Sequence, residues 1–124
     1  MSKSPNRVIG LVSGLILIVL GVAGLLTPEG ALLFGALQVN DVQSGIHLVL
    51  GIALAVASFI NVTVSRRSNA IVGALLLVLG IVGLFTVGTE YNVLALNAAD
   101  NVMHFSLSVL LLAVGLGAEQ RRSS

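Results

Sequence analysis

The chain has 124 residues, one domain's worth, and 56% of them are apolar while only 9% are charged, where about 25% charged is usual for a soluble domain. Six basic and five acidic side chains cannot cover a soluble surface, so the missing solvent-facing surface has to be lipid. A net charge of +1 with no basic patch between aromatics excludes nucleic acid as a partner, and the lack of cysteine excludes disulfides, thiolate nucleophiles and cysteine-based metal sites.

The charges leave four uncharged stretches, at 8–28, 42–65, 68–89 and 101–118. Roughly 20 helical residues cross a hydrocarbon core of about 30 Å. The first stretch predicts a helix over about 8–26, preceded by Lys3 and Arg7. Its apolar run exceeds a signal-peptide core, and no small-residue cleavage site follows. Thr27-Pro28-Glu29-Gly30 reads as a turn. The apolar segment 31–39 is expected along the headgroups or packed over the bundle.

A second helix is expected over about 41–62 and a third over about 69–87, joined by Arg66 and Arg67. Tyr91, beyond the third, fits an interfacial anchor. The fourth helix is expected over about 98–118, followed by Arg121 and Arg122. The basic residues Lys3, Arg7, Arg66, Arg67, Arg121 and Arg122 then share one side, which the positive-inside rule makes cytoplasmic, with both termini.

The chain resembles itself. Arg7, Gly14, Leu17, Val19, Leu20, Gly21, Gly24, Leu25 and Thr27 have identical partners 59 residues later, at Arg66, Gly73, Leu76, Val78, Leu79, Gly80, Gly83, Leu84 and Thr86. Asn40 and His47 have theirs 57 residues later, at Asn97 and His104. The expected fold is all-α: a single transmembrane domain over 1–124, an integral membrane four-helix bundle of two parallel helical hairpins, one over about 7–63 and one over about 66–118. The stripes Gly14, Gly21, Gly24 and Gly73, Gly80, Gly83 are expected to pack one hairpin on the other, because close backbone approach holds helices together in lipid.

Helices two and four both begin with polar residues. Asn97 precedes Asp100, Asn101 and His104, and Asn40 precedes Gln43 and His47. Each Asn, with an acid or amide three positions on, resembles a capping box. Asp100 and His104 are four apart and can touch, which makes Asp100 the expected partner of His104. Gln43 and Ser44 lie near His47.

Three readings of this cluster compete. Polar contacts could fix the register of helices two and four, which is preferred. The two histidines could hold a metal, or a haem between helices, but no third ligand stands at a usual spacing. Asp100 and His104 could handle a proton or ion, although no mid-membrane acid or base continues the path. Ser108, one turn after His104, is weak ground for a nucleophile. None of the phosphate-, dinucleotide-, zinc-protease or serine-hydrolase motifs is present.

The run Asn97-x-x-Asp100-Asn101-x-x-His104, with Asn40 and His47 at matching places in helix two, resembles the uncharacterised prokaryotic membrane family catalogued as domain of unknown function 4383. The resemblance spans Arg7 to about Gly117 and implies four transmembrane helices and no established activity. The family pattern carries a further His in helix two where this chain has Gln43 or Ser44, a departure that weakens a metal site.

The expectation is a small multi-pass protein of the cytoplasmic membrane, not an enzyme, without a cofactor, serving as a structural or assembly component. Its expected partners are the bilayer and a second copy or a larger membrane complex. The alternatives are a proton- or ion-handling transport component acting as an oligomer and a His-ligated haem or metal protein.

Overall fold

The computed structural model describes residues 3–119; the anchors Arg121 and Arg122 lie outside the described residues. Four helices, α1 (Pro5–Leu26), α2 (Asp41–Ile60), α3 (Val62–Thr86) and α4 (Ala98–Gly117), account for most of it. All four are long and apolar enough to cross a membrane. The outward side chains include Val19, Val49, Ile71 and Val109. In lipid this is the stable arrangement, since a helix pairs its own backbone groups.

The helix starts differ from the charge-based expectation. The side chain of Ser4 accepts from the Arg7 N–H and Pro5 stands in the first turn, so α1 begins three residues early. α3 begins at Val62 rather than near 69, and Asn61 alone separates it from α2. Asn61 Oδ1 accepts from the Val64 N–H at 2.8 Å. Arg66 and Arg67 therefore lie inside α3 instead of forming a loop. Arginine is a good helix former, and treating its charge as a break misplaced the boundary.

After α1 the chain forms a short antiparallel hairpin of β1 (Leu32–Leu33) and β2 (Leu37–Gln38), with Leu32 opposite Gln38 and Leu33 opposite Leu37. Phe34 and Gly35 turn it with φ of 54° and 72°. Leu33 is buried and joins the main apolar cluster, while Leu32 and Phe34 point outward. The segment thus packs over the bundle through Leu33, with Leu37 and Val39 against the same cluster.

The closest packing is α1 on α2 and α3 on α4. A Cβ on Gly14 would sit 2.7 Å from the carbonyl oxygen of Gly51 and 2.9 Å from the Ala55 nitrogen. A Cβ on Gly73 would meet Leu112 and Leu111. Gly21 packs on Leu48, Gly80 on Phe105, Gly24 on Ser44 and Gly83 on Asn101. The stripes therefore lie inside the hairpins, against each helix's own partner, and not between hairpins as expected. Within lipid, close backbone approach holds a helix pair together, and the smallest residues lie where the pair packs most closely. The contacts of Gly14 with Ala55, Gly21 with Leu48 and Gly24 with Ser44 have counterparts in the second hairpin, 59 residues on in α1 and 57 residues on in α2.

Between the hairpins the bundle is filled by larger side chains. Leu17, Leu54, Leu76 and Leu111, one from each helix, are all fully buried and belong to one cluster. They divide the interior into two polar ends. One carries the starts of α2 and α4 and is called the cap end; the other carries the start of α1 and is called the arginine end.

Candidate functional site

The cap end is built from the helix starts. Asn97 Oδ1 accepts from the Asp100 N–H at 2.9 Å, and Asp100 Oδ2 accepts from the Asn97 N–H at 3.0 Å, a complete capping box. The α2 start is half of one. Asn40 Oδ1 accepts from the Gln43 N–H at 2.8 Å, but the Gln43 amide does not turn back to Asn40. Its Nε2 donates to the carbonyls of Gln38 at 3.1 Å and Leu94 at 2.8 Å, tying the start of α2 to the segment before α4.

The two caps also reach across. Asn40 Nδ2 donates to the Val93 carbonyl at 2.8 Å, and Asn97 Nδ2 donates to the Ala36 carbonyl at 2.9 Å. Donors and acceptors are each 57 residues apart, so the hairpins exchange equivalent bonds.

One turn deeper, His47 and His104 meet head on. Their Nε2 atoms are 2.9 Å apart, the ring centroids 5.2 Å, and the planes cross at 63°. Both side chains are buried, at 2% and 0% exposure. One Nε2 must donate and the other accept, so the rings are in different tautomers. The expected Asp100–His104 pair does not form. Asp100 commits one oxygen to the cap of its own helix, and the helix packing turns His104 toward His47 instead. Direct contact of the rings leaves no room for a macrocycle between their nitrogens. Among the described residues, no three His, Asp or Glu side chains gather as a metal site would require. Ser108, one turn after His104, donates to the Phe105 carbonyl at 2.9 Å within its own helix.

Several buried polar atoms here have no protein partner: Gln43 Oε1, Ser44 Oγ, Asp100 Oδ1, Asn101 Oδ1 and His104 Nδ1. Ser44 Oγ and Asn101 Oδ1 fill the space left by the missing side chains of Gly24 and Gly83. Gln43, Asp100 and His104 lie on the inward faces of α2 and α4, where the hairpins meet.

The arginine end holds a second buried network that sequence reasoning missed. Asn69 Nδ2 donates to Asn6 O at 2.9 Å and to Asn6 Oδ1 at 3.0 Å. Asn6 Nδ2 donates to the Ala118 carbonyl at 3.2 Å. The Glu119 carboxylate accepts from Ser4 Oγ at 2.8 Å and from the Asn6 N–H at 2.8 Å, placing an anion at the start of α1. Arg7 Nε donates to the Ser58 carbonyl at 2.7 Å in the last turn of α2. The overlooked signal was Asn69, an amide inside a stretch otherwise read as apolar.

Comparison with known proteins adds one finding. The family model described as a domain of unknown function (DUF4383) matches residues 7–117. No curated protein and no solved structure matches the chain.

Proposed function

Since the chain belongs to the DUF4383 family, whose description states no activity, we propose from the geometry that it is a non-enzymatic structural or assembly component, a rigid multi-pass unit of a homo-oligomer or larger membrane complex. On this reading the arginine end faces the cytoplasm, following the positive-inside rule. The carrying observation is the reciprocal exchange at the cap end, where Asn40 and Asn97 each bind the other hairpin's backbone above the His47–His104 pair. Here the polar side chains join the hairpins. Ser108, one turn from His104, commits its hydroxyl to a helix carbonyl. The fully buried Leu17, Leu54, Leu76 and Leu111 argue against a path through a single copy.

Native mass spectrometry of protein released from a mild detergent tests this reading. The expected result is a discrete oligomer or a stoichiometric protein partner, unchanged in mass composition by a His47→Ala/His104→Ala double substitution. A defined small-molecule adduct, lost in that double variant while the helical content is kept, would overturn it in favour of ligand binding.

A further inference from the structure

The cap end contains three buried ionisable groups, His47, Asp100 and His104, and among the described buried residues there are no others. What faces them is not charged. Gln43 and Ser44 of α2 and Asn101 of α4 lie at this end, with Gly24 against Ser44, Gly83 against Asn101 and the carbonyls of Gln38 and Leu94 bonded to Gln43; the Gln38 N–H lies against the Asp100 carboxylate. Glu29, Asp41, Glu90 and Tyr91 are exposed at that end, and Arg7, Arg66, Arg67 and Glu119 belong to the opposite one.

Two of the three ionisable side chains have an atom without a partner. Asp100 Oδ1 and His104 Nδ1 are buried without partners. They stand on one helix four residues apart, a spacing that stacks side chains on one face. A buried group left unsatisfied costs about 1–3 kcal/mol, and a single water that bonds both removes that cost twice. A water held between them would join the carboxylate to the imidazole pair, whose Nε2 atoms are 2.9 Å apart.

The charge balance then fixes what the chain of groups holds. With Asp100 ionised and both imidazoles neutral, the site carries a net charge of minus one in a buried, apolar setting. One added proton makes it neutral, whether it rests on Asp100 or on the imidazole pair. A second makes it positive. Burial in an apolar setting favours the neutral, one-proton form over either charged one. The hand-over needs no further reactant. Asp100 Oδ1–H gives its proton to the water, the water gives one to His104 Nδ1, and the Nε2–H of His104 is shared with His47.

We infer that Asp100, His104 and His47 form, through one bridging water, a binding site for a single proton on the cap side of the leucine layer. The matching position in the first hairpin supports the stoichiometry. Gln43 stands 57 residues before Asp100, and its amide donates to Leu94 instead of titrating. One half of the bundle supplies a carboxylate and the other a neutral amide. The layer of Leu17, Leu54, Leu76 and Leu111 closes the far side, so the proton enters and leaves by the cap end.

Solid-state NMR of the protein in lipid bilayers, with labelled histidine nitrogens and aspartate carboxyls, tests this. In the unaltered chain the Asp100 carboxyl and both imidazoles should respond in one coupled step involving one proton per molecule. Asp100→Asn keeps an oxygen for the cap and should abolish that step, with loss of the imidazolium signal. Gln43→Glu should raise the retained protons from one to two, because the introduced carboxyl, when protonated, can still donate to Leu94; this variant carries the test if Asp100→Asn fails to fold. Independent titration of the three groups, or an imidazole spectrum that Asp100→Asn leaves unchanged, would overturn the inference. So would a Gln43→Glu chain that holds no additional proton.

Discussion

The two ends of the bundle solve one problem in different ways. Each must tie together two hairpins whose stripe glycines, Gly14, Gly21, Gly24 and Gly73, Gly80, Gly83, are already committed to packing within the hairpin. At the cap end the ties run between equivalent residues: Asn40 and Asn97 exchange backbone bonds, and His47 pairs with His104. At the arginine end no tie has a twin. Asn69 grips Asn6, and the last described residue, Glu119, caps the first helix. The positions 59 residues from Asn6 and before Asn69 are Ser65 and Gly10, so one half supplies the amide where the other supplies the space. Both ends hold two helix starts, but at the arginine end α3 follows α2 after Asn61 alone. The arginine end brings the start of α1 against the end of α4, and unlike groups meet.

Both ends depend on intact hairpins, and the largest effect should come from breaking one. Gly14→Val places side-chain carbon where the backbone of Gly51 lies, 2.7 Å from the new Cβ. Backbone cannot yield as a flexible side chain can, so the cost should reach about 3 kcal/mol or more. Unfolding in mixed micelles should show both ends lost together. Gly45→Ala, on the same hairpin with nothing within 4 Å of a new Cβ, is the matched control and should be nearly silent.

Next in size is the arginine end. Asn6→Ala removes the acceptor of Asn69, the donor to Ala118 and one donor to Glu119. Asn69 is fully buried and would keep only the Asn6 carbonyl as a partner. An orphaned buried group costs about 1–3 kcal/mol, so a loss near 2 kcal/mol is expected in the same unfolding assay. A loss no larger than that of an exposed substitution such as Val109→Ala would show that this end carries no stability.

The histidine pair should matter less. His47→Ala and His104→Ala each break one hydrogen bond, and a double-mutant cycle removes the other effects of truncation. Coupling across membrane helices averages about 0.6 kcal/mol and reaches about 1.7. A positive coupling within that range is expected. Zero coupling would mean that the 2.9 Å contact contributes nothing to closing the cap end.

What was legible in the sequence follows the same division. Charge spacing and hydropathy gave four spans and their order, because lipid imposes length and apolarity on each helix separately. The caps were visible because Asn97 and Asp100 act three residues apart. The pairing of His47 with His104 was not, since it depends on which way two helices turn when they pack. Local spacing offered His104 a nearer partner in Asp100, and the capping box had already claimed one of its oxygens. The arginine end stayed hidden for a related reason. Asn6, Asn69 and Glu119 are brought together from three separate parts of the chain, and none repeats. The glycine stripes were seen, but their direction was not, because spacing identifies a face without saying what lies against it.

The smallest effect separates the two halves of the cap end itself. Asn40→Ala and Asn97→Ala remove equivalent cross-bonds, to Val93 and to Ala36. They do not remove equivalent caps. Losing Asn97 frees the Asp100 N–H from its acceptor, in a box whose two bonds act together. Losing Asn40 frees only the Gln43 N–H, while the Gln43 side chain stays tied to Leu94. Cap removal costs about 1 kcal/mol, so both variants should be mildly destabilised, with Asn97→Ala worse by a few tenths of a kcal/mol, the worth of the extra reciprocal bond. Hydrogen exchange at the first turns of α2 and α4 would read the difference directly: faster exchange at Asp100 than at Gln43 when each cap is removed. If the two variants behave alike, the symmetric bonds between hairpins outweigh the local caps, and the cap end acts as one joint instead of two helix starts.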